Sequence, residues 1–138
     1  MPVLERPILR NEWAEQTSER NGIAKQTAPG KVEDAGPWEP AVQEIVGLQN
    51  LGDDRDGFGA ESPSQDVLAS AIGLAYCLYQ DGVDPPHRVS PGVCGPVIFE
   101  WQDADGTYTE VEVDRPLHAE VMVVEPDKPA KQWTLPTE

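Results

Sequence analysis

The side chains with the most chemical potential in this chain are carboxylates. Asp53, Asp54 and Asp56 stand just before Gly57, and Glu100, Glu110, Glu112 and Glu120 recur further on. Clustered oxygen ligands beside a glycine suggest a calcium loop, which needs ligands at its first, third and fifth positions, glycine at the sixth and glutamate at the twelfth. With Gly57 as the sixth, the first position is Gly52 and the twelfth is Pro63, so two ligands fail. The segment reads instead as an acidic turn ahead of a helix. Paired carboxylates such as Glu100 and Glu110 can also do acid–base work, but on an outer sheet face they lack the enclosed pocket that such chemistry uses.

Other chemistries fare no better. Gly57-Phe58-Gly59 lacks the Lys-Ser/Thr that completes a phosphate loop. His87 and His118 each lie beside a proline or a turn, without a cysteine or carboxylate at metal-ligand spacing, so no metal or other cofactor is expected. Cys94, in PGVCGP, could approach His87, but its acidic surroundings disfavour a reactive thiolate. The residues argue against an enzyme.

The elements that position these groups can be read from periodicity. Ser62 can cap a helix, with Pro63 at the first helical position and Gln65 completing a capping box. Leu68, Ala71, Ile72, Ala75, Leu78 and Tyr79 recur at three- and four-residue spacing. Val67 and Leu74 widen that face, so the helix is expected to be covered over much of its girth, and Gly82 ends it. A shorter helix is predicted from near Pro40, carrying Val42, Ile45, Val46 and Leu48.

After the main helix the period changes to two. A short strand is expected at Arg88, Val89 and Ser90. Val97, Phe99 and Trp101 then alternate with Ile98, Glu100 and Gln102, and Thr109, Val111 and Val113 alternate with Tyr108, Glu110 and Glu112. Ala119, Val121 and Val123 continue the pattern. The apolar faces match only if Phe99 lies opposite Val111 and Trp101 opposite Thr109, which leaves Ala104-Asp105-Gly106 as the loop. That register sets Glu100 opposite Glu110 on the outer face, a like-charge pair that Arg115 could ease. Glu112 and Glu120 extend the same face.

Composition bounds the rest. The chain has 138 residues, a formal net charge of -15, 14 prolines and 12 glycines, which suits one modest core beside irregular segments. Such a charge excludes direct binding to nucleic acid or an anionic membrane, since phosphate affinity rests on Lys and Arg. No apolar run has the ~20 residues of a membrane span. MPVLERPILRNEW has charges and prolines where a signal peptide needs a continuous apolar stretch. Two cysteines without metal-type spacing suit a reducing, cytoplasmic setting, with both thiols buried or inert.

Residues 1–39 are polar and proline-punctuated. Glu12 to Arg20 could be helical, but Trp13 alone offers little to bury, so the segment reads as a flexible arm, or one that orders on a partner. Most of the excess acid lies beyond residue 40. Residues 126–138 read as a tail, with Trp133 as an anchor.

The run DGFGAESPSQDVL, then PPHRVSP, then VIFEWQDADGTYTEVEV, resembles a group of small, uncharacterised bacterial proteins that share a Trp-Asp-Gly-x-Gly-Ala turn, a Pro-Ser helix start, a Pro-Pro-x-Val-x-Pro strand entry and a Leu-Glu-Trp strand. Arg55 stands where that pattern has tryptophan. The resemblance spans residues 53–124 and implies a shared small α+β fold and no catalytic residues.

Together these readings predict one α+β domain over residues 40–125: a main amphipathic helix, with a second short one, on a three- to four-stranded antiparallel meander. The function expected is a non-enzymatic acidic module that occupies a basic surface of a protein partner, of antitoxin, immunity or inhibitor type, including mimicry of nucleic-acid charge. Glu100, Glu110, Glu112, Glu120, Asp53, Asp54 and Asp56 are its candidate contacts. The alternative is a structural or assembly subunit, or homo-oligomer, joined through a strand edge and the N-terminal arm.

Overall fold

A computed structural model describes residues 8–24, 35–50 and 61–136. In chain order these form helices α1 (Arg10–Ala24), α2 (Glu39–Gly47) and α3 (Gln65–Gln80), then strands β1 (Arg88–Pro91), β2 (Val97–Gln102), β3 (Tyr108–Arg115), β4 (His118–Val124) and β5 (Lys131–Leu135). The five strands make an antiparallel meander in the order β1-β2-β3-β4-β5. The class is α+β, with one strand more than the largest number expected.

α3 is the centre of the molecule. Every residue from Val67 to Leu78 is buried, so the helix is covered all round, by the sheet on one side and α1 on another. Its cap is Ser64, two residues later than expected, and the Ser64 hydroxyl accepts from the Val67 amide at 3.1 Å. Both serines have the right chemistry, and the later one brings the apolar stripe into register with the first turn. Gly82, at φ +80, ends the helix as expected. The Val83 amide reaches back to the Leu78 carbonyl at 3.0 Å and that of Gly82 to Tyr79 at 3.1 Å, the paired bonds of a Schellman stop.

The sheet follows the register derived from alternation. Phe99 pairs with Val111, Trp101 with Thr109, Glu100 with Glu110 and Glu112 with Glu120. Gly106 takes φ +92 in the loop, and Asp103 donates its amide to the Thr107 carbonyl at 2.9 Å. Trp38, Phe99 and Trp101 stack edge to face, with centroids 6.2 to 6.3 Å apart. The Trp38 Nε1 donates to the Val83 carbonyl at 2.7 Å and that of Trp101 to Asp84 at 2.8 Å.

Two segments read as irregular are part of the packed body. Residues 10–24, assigned to a flexible arm, form α1, which lies along α3. Trp13 is fully buried, and its Nε1 donates to the Ser70 carbonyl at 2.7 Å. One tryptophan removes about 150–250 Å² from water, as much as two aliphatic side chains, which is why it suffices here. Thr17 follows at helical spacing and meets Gly73 so closely that a Cβ there would lie 2.5 Å from its Oγ1 and 2.7 Å from its backbone N. Arg20 lies 4.0 Å above the Tyr76 ring. Residues 131–135, assigned to the tail, form β5, with Trp133 opposite Val121 and Leu135 opposite Ala119. A buried Leu135 and a half-buried Trp133 extend the core past residue 125.

Candidate binding face

One face of the sheet packs on α3 and α2, and the other carries the acids. Strand alternation brings Glu100, Glu110, Glu112 and Glu120 onto this outer face, where the cross-strand pairs Glu100–Glu110 and Glu112–Glu120 set like charges directly opposite. The candidate contacts Asp53, Asp54 and Asp56, like the DGFGA turn, lie outside the described residues.

The expected repulsion is relieved by groups that alternation placed on this face without a role. The Tyr108 hydroxyl is 2.8 Å from Glu100 Oε1 and 2.9 Å from Glu110 Oε1. A single phenolic proton shared between two carboxylates binds both, and burial together with these two acceptors raises the tyrosine pKa well above its ordinary value. Arg88, opposite Glu100 on β1, approaches it at 3.6 Å. Arg115, the expected relief, instead faces Asp114 at 3.9 Å.

No such relief reaches the other pair. Among the described residues, no cationic side chain pairs with Glu110, Glu112 or Glu120. Partial burial, then the charges of Glu110, Glu120 and Asp114, push the Glu112 carboxyl above its ordinary pKa. These three glutamates line a groove of about 300 Å³ together with Met122, Gln132 and Thr134. β5 forms its wall, so the face is concave where alternation alone suggested an open surface. Three carboxylates around a methionine and two neutral polar side chains suit the stem and charged head of a lysine or arginine.

The other chemical candidates separate. The His87 Nδ1 accepts from the Gln102 amide at 3.0 Å, which uses the lone pair that a base or ligand would need there. His118 Nδ1 lies 2.7 Å from Asp114 Oδ1, a four-residue contact that the sequence reading did not pick out. Cys77 is buried, and burial followed by the nearby Glu12 and Asp81 charges pushes its thiol to about 12, which leaves it protonated. Cys94 is exposed, and both thiols are unpaired. Among the described residues, no group of three His, Cys, Asp or Glu side chains is arranged to hold a metal, and no helix is long and apolar enough to cross a membrane. No family model, curated protein or solved structure matches the chain.

Proposed function

We propose that the protein is a non-enzymatic acidic binding module whose outer sheet face occupies a basic surface of a protein partner, in the manner of an antitoxin, immunity protein or inhibitor. The supporting observation is the groove in which Glu110, Glu112 and Glu120 meet with no cationic partner among the described residues. Opposed carboxylates cost stability in the free protein, and a partner's lysine or arginine returns it, so the cost favours the complex. Contact of this kind imitates nucleic-acid charge without binding nucleic acid. A reducing, cytoplasmic setting fits the two free thiols.

The test is capture of a partner by the tagged full chain from its native lysate, at low and high salt, beside a variant carrying Glu110→Gln, Glu112→Gln and Glu120→Gln. One stoichiometric basic protein, lost at high salt and lost with the variant, is the expected result. A complex indifferent to both would sink the electrostatic account. Assembly is the second reading, favoured by the edge position of β5. It predicts recovery of only this chain, and a mass that grows with concentration in light scattering.

A further inference from the structure

A second concave site lies at the end of the sheet, next to the glutamate groove, with which it shares Trp133 and Thr134, and its charge is opposite. Where α1 begins, β3 turns into β4 and β5 ends, a cleft of about 740 Å³ is lined by Arg10, Arg115 and His118. Trp133, Leu117 and Pro116 supply apolar lining. Among the described residues, no aspartate or glutamate lines it, in a chain with 25 acids and 10 bases. Two arginines and a histidine lining one cleft run against the charge of the whole molecule.

The local backbone is built to hold this arrangement. The β3–β4 pairing is irregular between Val113 and Arg115, so Asp114 lies at a bulge, the kind of feature that redirects side chains beside binding sites. Its carboxylate reaches His118 Nδ1 at 2.7 Å and Arg115 at 3.9 Å. An Nδ1–H donated to Asp114 leaves Nε2 as the ring atom for a ligand. The two-residue turn that follows puts Leu117 at φ +56, a left-handed conformation that residues other than glycine rarely adopt. The buried Ser70 side chain holds it by accepting the Leu117 amide at 3.1 Å. Arg10 stands at the positive end of α1, where a cation opposes the helix dipole, and it pairs with no other described residue. Helix stability does not account for it, whereas an anion in the cleft does.

We propose that this cleft binds a small organic oxyanion, a carboxylate or a phosphate ester, whose charged end meets Arg10, Arg115 and His118 while its apolar body packs among Trp133 and Leu117. Guanidinium forks match both oxyanions, and an aromatic wall selects ligands with a flat or apolar body over inorganic ions. Arg10, Arg115 and His118 do not line the glutamate groove, so the proposal stands or falls apart from the partner-binding reading.

The test uses the full chain and four probes at fixed ionic strength: benzoate, phenyl phosphate, inorganic phosphate, and benzamidine as a cation of benzoate's shape. Calorimetric titration measures binding. Quenching of tryptophan fluorescence by iodide reports on Trp133, because Trp13, Trp38 and Trp101 are 0 to 2% exposed and Trp133 is half-buried, and the arginine variants assign its protection to the cleft. Saturable binding of benzoate or phenyl phosphate is expected, with protection of Trp133 from iodide and about tenfold weaker binding in Arg115→Gln and in Arg10→Gln. Both arginines are exposed, so these variants keep the fold. The tighter of the two aromatic anions identifies the oxyanion. No saturable binding of either overturns the proposal. So does binding that both arginine variants leave unchanged, or that benzamidine matches.

Discussion

The docking of α1 rests on one close approach, and a single methyl group tests it. Replacing Gly73 by Ala in the middle of α3 adds a Cβ that would lie 2.5 Å from Thr17 Oγ1, 2.7 Å from Thr17 N and 2.9 Å from Thr17 Cα. A rotamer change moves the hydroxyl but not the backbone, so α1 itself has to shift. The substitution gains about 1 kcal/mol of intrinsic helix propensity. Overpacking a close interface costs about 1–3 kcal/mol. The net expectation is a loss of up to about 2 kcal/mol, together with loosening of α1. Gly47 is the control, since a Cβ there meets nothing within 4 Å, and Gly47→Ala should gain up to about 1 kcal/mol. Urea denaturation gives both values, and amide hydrogen exchange of α1 shows whether its protection falls in the first variant alone. If Gly73→Ala gains stability as Gly47→Ala does, with α1 protection intact, the described packing of α1 on α3 is wrong.

Three further outcomes follow from the sheet and its anchors. Glu112→Gln should stabilise the protein at pH 7 by about 0.5 kcal/mol, because it removes one of two opposed charges. Glu112 has a raised pKa when folded, so the native state holds its proton longer than the unfolded chain does. Wild-type stability should therefore fall as pH rises from the ordinary carboxylate value through the raised one, and the advantage of the variant in thermal melts should vanish below that window. Tyr108→Phe leaves Glu100 and Glu110 without the shared proton and should cost about 1 kcal/mol at neutral pH, and less in acid, by urea denaturation at two pH values. Ser70→Ala deprives the Leu117 amide of its acceptor and should cost about 1–2 kcal/mol, with exchange of that amide sped up most.

Strict alternation made much of this molecule legible in its sequence. Phe99, Trp101, Thr109, Val111 and Val113 allow only one register, and Gly106 supplies the turn that this register needs. The acidic face was legible for the same reason, since Glu100, Glu110, Glu112 and Glu120 fall on the opposite parity. α1 was not, because its contacts with α3 run through Trp13, Thr17 and Arg20, and two of these three are polar. Hydrophobic periodicity is blind to a helix held by an indole hydrogen bond, a backbone approach and a cation over a ring. β5 shows only Trp133 and Leu135 on its inner side, between prolines, too short a pattern to stand out. The cleft joins the ends of three elements far apart in the chain, and the Asp114–His118 contact depends on a bulge that sequence spacing does not reveal.

The two indole bonds that follow α3 have a consequence for where the chain can be altered. Trp38 and Trp101 hold the consecutive carbonyls of Val83 and Asp84, so the short passage from helix to sheet is gripped from two separate elements. An insertion there would pull both rings from their partners and open the aromatic cluster. The Asp103–Thr107 turn closes on its own backbone bonds, and its tip is exposed. An epitope or fluorophore attachment sequence grafted at Ala104-Asp105 should be carried without disturbing either, whereas the same graft at residues 83–84 should leave little folded protein to recover.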